Sequence, residues 1–181
     1  DLTRGEMGTR GTIEDRDRET ETASEILGLS IRENLSLPDG RVEATLDARE
    51  ALAERIRVHA PHVVLGHHVE DLHPDHVAAG HLARDAWYLS GLARLAAEDS
   101  PARRPPRLLA FPGHIPFEPT FVVDITEVWE AKCAAVRAYA TQLEPQDEGD
   151  DGSHFLFGAD ILARMETKAR FWGELGGVGY G

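Results

Sequence analysis

The sequence predicts an α/β fold, a Rossmann-like three-layer sandwich with a mainly parallel sheet. Short apolar, β-branched runs alternate with longer segments of helical periodicity. The run at residues 61–66 has the composition of a buried parallel strand. No internal repeat is visible. With 181 residues, one domain spanning 1–181 has room for its own core.

The elements follow in order. Residues 1–6 read as the end of a strand entering a loop with Gly8 and Gly11. Thr12 is placed to cap a helix through Ile13, Arg16, Glu19, Ala23 and Ile26, with a stop near Gly28. Leu37-Pro38-Asp39-Gly40 is a turn signal. A second helix is expected over residues 42–58, with Ala44, Leu46, Ala51, Leu52 and Ile56 inward. After the 61–66 strand comes a polar loop over 67–73. Pro74 then opens a long helix through Leu82, Ala86, Leu89 and Leu92, because proline suits a first helical turn. Prolines between 101 and 106 break the chain. Strands are expected at 107–111 and 121–125, a helix at 126–142, an acidic mobile loop at 144–152, and a last helix at 159–172. A Gly-rich segment, 173–181, closes the sequence.

Composition narrows the function. Hydrophobic residues make up 41% and charged residues 28%, as in ordinary globular domains. The net charge of −13 repels phosphate backbones and anionic lipid, so neither nucleic acid nor membrane is an expected partner. No apolar run reaches the roughly 20 residues that span a bilayer. The lone Cys133 excludes a multi-cysteine zinc knot and reads as a buried helical thiol. Nine histidines leave imidazole as the place to look for metal chemistry.

The string Glu70-Asp71-Leu72-His73-Pro74-Asp75-His76 carries that chemistry. Two imidazoles flank a carboxylate at the mouth of a helix, just beyond a strand, where open α/β sheets place their active loops. A neutral histidine there can ligate zinc through one ring nitrogen. A neighbouring carboxylate can accept the hydrogen of the other nitrogen. Read as capping residues, the same groups would be solvated and without a role. His67 and His68 either line the same mouth or face solvent. His62, His81, His114 and His154 show no partner signal.

These residues resemble the second motif of the LmbE/PIG-L zinc-dependent N-acetylglucosamine deacetylases. Asp1-Leu2-Thr3-Arg4-Gly5-Glu6, Gly11-Thr12-Ile13-Glu14-Asp15-Arg16, Asn34-Leu35 and Leu37-Pro38-Asp39 are similar to its upstream segments. Phe121-Val122-Val123-Asp124-Ile125-Thr126, Trp172-Gly173 and Tyr180-Gly181 are similar to its later ones. The branch resembled most is the bacillithiol-biosynthesis deacetylases, which act on N-acetylglucosaminyl malate.

The resemblance implies that His76 ligates zinc, with one Zn2+ per subunit. His73 is implied as the general acid or electrostatic partner, Asp75 as the group that orients and charge-balances it, and Arg16 as a substrate-binding residue. It also implies a small-molecule amino-sugar substrate, a homo-oligomer and a cytoplasmic location. The family's opening Ala-His-Pro-Asp-Asp motif does not occur in this sequence. The expectation is therefore a fragment cut at both ends, lacking the first strand and helix and two zinc ligands. Two rivals stand: a non-catalytic or vestigial sugar-binding domain, and a different metal hydrolase drawing on His67 or Asp71. Zinc, iron and cobalt all suit such donors.

Overall fold

A computed structural model describes residues 1–143 and 161–181. The elements in chain order are α1 (Ile13–Ile26), α2 (Leu46–His59), β1 (Val63–His67), α3 (Pro74–Ser90), β2 (Arg107–Phe111), α4 (Trp129–Arg137), α5 (Ala140–Leu143) and α6 (Ile161–Gly176), with 3₁₀ turns at Ala93–Leu95 and Thr126–Val128. The expected α/β architecture with a parallel sheet is present: β1 and β2 pair in parallel, from Val63 opposite Arg107 to His67 opposite Phe111. The chain divides into two compact units, one of Asp1–Met7 with Glu33–Phe117, the other of Gly8–Arg32 with Glu118–Gly181. No helix among the described residues is long and apolar enough to cross a membrane.

In the first unit, α3 packs on β1 and α2 packs on α3. Ala53, Ile56 and Ala86 form the buried centre, flanked by Leu52, Val64, Trp87 and Leu89. Helix α2 begins later than its periodicity predicts, for two reasons. Thr45 Oγ1 accepts from Ala48 N at 3.2 Å and fixes the cap. The Val42 amide is committed elsewhere, to the carboxylate of Asp75 at 3.1 Å. Strand β1 departs from the fully buried strand expected of it. Val64 faces the core, but Val63 and Leu65 are exposed. Val63 and Leu65 point away from the cluster that Val64 joins.

Two glycines set how closely α3 approaches β1. A Cβ on Gly80 would lie 2.7 Å from the His67 carbonyl oxygen, and one on Gly66 would lie 2.9 Å from Ala83 Cβ. This close approach seats the start of α3 beside the carboxyl end of β1, where the site forms.

In the second unit, α1 starts as expected. Thr12 Oγ1 accepts from Asp15 N at 3.1 Å and Asp15 Oδ2 accepts from Thr12 N at 2.9 Å, a reciprocal cap. Trp129, Cys133 and Ala169 make its core, so Cys133 is buried as read. Trp129 stacks on Tyr180 with centroids 4.4 Å apart. The strand expected at 121–125 does not form. Asp124 folds back to accept from Thr126 N and Oγ1, and Ile125 N reaches Tyr180 O as a single bond rather than a ladder. The helix expected at 126–142 is split into a 3₁₀ turn, α4 and α5, where Tyr139 N bonds Val136 O three residues back. Helix α6 runs beyond Trp172 to Gly176 and is stopped by Gly177 in a left-handed conformation at φ 72°. The acidic loop at 144–152, His154 and the expected helix start at 159 lie outside the described residues.

The Gly80 contact gives a test with opposing terms. Gly80→Ala gains about 1 kcal/mol of helix propensity but forces backbone apart at a cost of about 1–3 kcal/mol. Net destabilisation is expected in urea unfolding; a gain in midpoint would show that α3 can shift freely.

Candidate functional site

The loops after β1 and β2 leave the same edge of the sheet, since the strands are parallel and in register at His67 and Phe111. His68 N donates to Phe111 O at 3.0 Å and ties the two exits together. The first loop delivers Asp71 and the start of α3. The second delivers Gly113 and His114. Asp71 is the meeting point. Its Oδ1 accepts from His73 N at 2.9 Å, from His114 Nδ1 at 2.7 Å and, more loosely, from His76 Nδ1 at 3.3 Å. Its Oδ2 accepts from His114 N at 2.8 Å. The side chain is only 1% exposed, against 30% for His76 and 27% for His114. A Cβ on Gly113 would fall 2.1 Å from Asp71 Oδ2, so no other residue leaves room for the carboxylate.

The imidazoles form a stack. His67 lies on His76 with centroids 4.1 Å apart, His73 is 4.8 Å from His76, and His114 is 5.3 Å from it on planes 12° apart. His67 Nδ1 is buried without a hydrogen-bond partner. Burial opposes ionisation of Asp71, yet the donors from His73 and His114 and the adjacent His76 ring outweigh it and hold the carboxyl well below the usual carboxylate range. Burial lowers His76, Asp71 works against this, and the His73 and His114 rings add to the lowering. Burial and the His76 ring likewise lower His67. His67 and His76 are thus neutral at pH 7, the state that ligates metal.

His73 caps α3: its Nδ1 accepts from Asp75 N at 3.2 Å. Asp75 itself does not take the position expected for it. Its carboxylate turns away from the ring and accepts from Gly40 N at 2.7 Å and Val42 N at 3.1 Å. Helical geometry explains this, because a side chain in the first turn points back over the preceding chain. What meets His73 is the Asp75 backbone. Arg16 belongs to the second unit, on α1, where Nη2 donates to Gln142 Oε1 at 2.6 Å and Nε is buried without a partner. Glu19, the acid near it in sequence, instead accepts from Thr141 N and Oγ1.

One ligand atom from each of Asp71, His76 and His114 lies within 4.8 Å of the others. Imidazole nitrogen suits zinc or a similar divalent ion, and a carboxylate beside it suits one as a ligand or as the hydrogen-bond partner of a ligating ring, so these residues fit such an ion. His114 has no signal in its own neighbourhood. The one available clue is its place, in a Gly-His pair three residues beyond a predicted strand.

The lowered acids and bases fix the sign of a pH effect. Unfolded histidines take up protons near pH 6.5 while His67 and His76 resist, so stability falls as pH drops below that value. Asp71, with its folded value below its unfolded one, stabilises fully above about pH 4 and loses that contribution below it. Urea midpoints between pH 8 and pH 3 are expected to show both losses. In Asp71→Asn the second loss should shrink without vanishing, since Glu6, Asp15, Glu33 and Asp124 are also held below the usual carboxylate range; an undiminished loss would show that those carboxylates carry it.

The profile of the GlcNAc-PI de-N-acetylase family, PIG-L, matches residues 1–87. The crystal structure of the conserved protein TT1542 from Thermus thermophilus is 40% identical, with a TM-score of 0.86 over 99% of this chain and 76% of that one. Diacetylchitobiose deacetylase of Thermococcus kodakarensis is 28% identical over 99% of this chain and 67% of its own length. The 4-oxalmesaconate hydratase of Pseudomonas putida is 33% identical over 77% of this chain, which spans 55% of that enzyme's length. With the fold, the His-Pro-Asp-His helix start and these relatives together, the chain belongs to the PIG-L/LmbE family.

Proposed function

We propose that the protein is a metal-dependent N-deacetylase. It hydrolyses the N-acetyl group of an N-acetylglucosaminyl conjugate to acetate and a free amine. The conjugate we propose is N-acetylglucosaminyl malate, the substrate of bacillithiol biosynthesis, on the motif pattern that resembles that branch. The observation that supports the chemistry best is the buried Asp71 joined to two imidazoles at the carboxyl ends of two parallel strands.

His76 and His114 would hold the metal, one Zn2+ per subunit. When bound, zinc lowers the pKa of water and polarises the acetamide carbonyl. His73 acts beside it. Its Nδ1 lone pair is taken by Asp75 N–H, so the neutral ring carries its hydrogen on Nε2. That N–H donates a hydrogen bond to the oxygen of the tetrahedral intermediate and stays on the ring, so His73 acts as the electrostatic partner, while the leaving amine takes up the proton that the attacking water gives off. Asp75 acts by anchoring the start of α3 to Gly40 and Val42, which fixes the His73 ring. Arg16 enters the proposal as a substrate contact on its motif position alone. A cytoplasmic homo-oligomer acting on a small amino sugar completes the reading.

A second reading is favoured by the likeness to the hydratase: the same site could add water to an unsaturated carboxylate. Acetate release and hydration, each measured with metal content on the purified protein, separate them. The deacetylase reading expects acetate release that disappears with chelation and returns with Zn2+. His76→Ala should lose both metal and activity. His73→Ala should keep metal and lose about 10²–10³-fold in kcat. Metal binding with hydration only would move the hydratase forward. No metal and no turnover would favour a sugar-binding or vestigial domain.

A further inference from the structure

The proposed reading leaves open what Asp71 does, since the same carboxylate is within reach of a metal and of two imidazoles. We infer that Asp71 is a positioning residue and not a ligand: it holds His76 and His114 by Nδ1 so that both present Nε2 to the metal. This deepens the deacetylase reading and rests on it for the metal, but not for the imidazole geometry.

An ionised carboxylate only accepts hydrogen bonds, through about four lone-pair positions. Three donors, His73 N, His114 Nδ1 and His76 Nδ1, share Oδ1, and His114 N takes one position on Oδ2. Gly113 lies against Oδ2, and a Cβ there would fall 2.1 Å from the oxygen. At 1% exposure the carboxylate is sealed behind two rings that are themselves 30% and 27% exposed, so an ion arriving from solvent meets imidazole first. A ring that donates from Nδ1 has its lone pair on Nε2. His76 and His114 are therefore fixed in the tautomer with hydrogen on Nδ1. His73 is fixed in the opposite one by Asp75 N–H. A direct bond from Oδ1 to metal would require it to release at least one of these donors, and Oδ2 lies against Gly113.

The experiment reads tautomers and metal separately. Imidazole ¹⁵N shifts of the metal-free protein are expected to show hydrogen on Nδ1 for His76 and His114, and on Nε2 for His73. In Asp71→Ala, His76 and His114 should lose the Nδ1–H preference. Gly113→Ala displaces the carboxylate without removing it, and should do the same if the Asp71→Ala variant fails to fold. Unchanged tautomers in both folded variants would overturn the positioning role, whether or not metal binds. Co2+ titration with its visible absorption then tests ligation. Asp71→Asn should still bind one ion with the wild-type band positions and an affinity about 10–100-fold weaker. Loss of the ion as complete as in His76→Ala, or a changed band pattern, would make Asp71 a ligand and overturn the inference. Wild-type protein that shows the expected tautomers yet binds no Co2+ would sink the deacetylase reading and leave the positioning role standing.

Discussion

The buried Asp71 carboxylate is the constraint on which the first unit is organised. An ionised group with 1% exposure is tolerable only when hydrogen bonds replace its lost hydration. Here both strand exits contribute. His73 N and a loose His76 Nδ1 come from the first loop and α3, and two stronger bonds come from His114 in the second. The carboxylate thereby clamps the loop after β1 to the loop after β2. Removing it would leave two amides and two rings without an acceptor, and buried unpaired groups each cost about 1–3 kcal/mol. The same clamp is what gives the rings their direction, so stability and chemistry share one group.

Close packing makes the clamp possible. Gly66 and Gly80 let α3 lie against β1 at a distance that a methyl group would prevent, and Gly113 does the same for the carboxylate. Asp75 adds a second tie, from the first turn of α3 to the turn at Gly40. The start of α3 is thus held from two sides by carboxylates. Neither is spent on neutralising a nearby cation.

Much of this is legible in the sequence, and the limits follow from range. The cap at Thr12, the helix opened by Pro74, and the His-rich loop beyond a strand all rest on patterns within a few residues. They appear where the pattern puts them. The misplaced elements fail where a distant group competes. Val42 N is taken by Asp75 while Thr45 caps α2 further along, and the 121–125 segment lacks a ladder partner among the described residues. His114 is 43 residues from Asp71, and nothing local marks it. Closeness in sequence pairs Asp75 with His73. Two residues along a helix start, however, point to different sides.

The division of labour between His73 and His76 follows from backbone and carboxylate placement and needs no difference in residue type. The rings lie 4.8 Å apart and nearly parallel. One receives a hydrogen bond on Nδ1 from a main-chain amide, so its Nε2 can only donate while neutral. The other gives a hydrogen bond from Nδ1 to Asp71, so its Nε2 can only accept or ligate. The two partners differ in kind: an amide is always a donor, and a buried carboxylate held ionised is always an acceptor. Neither ring can exchange roles by a simple flip without breaking its own Nδ1 bond. A ring whose Nε2 can accept and a ring whose Nε2 can only donate are thereby kept side by side at the start of α3, one on its cap and one in its first turn.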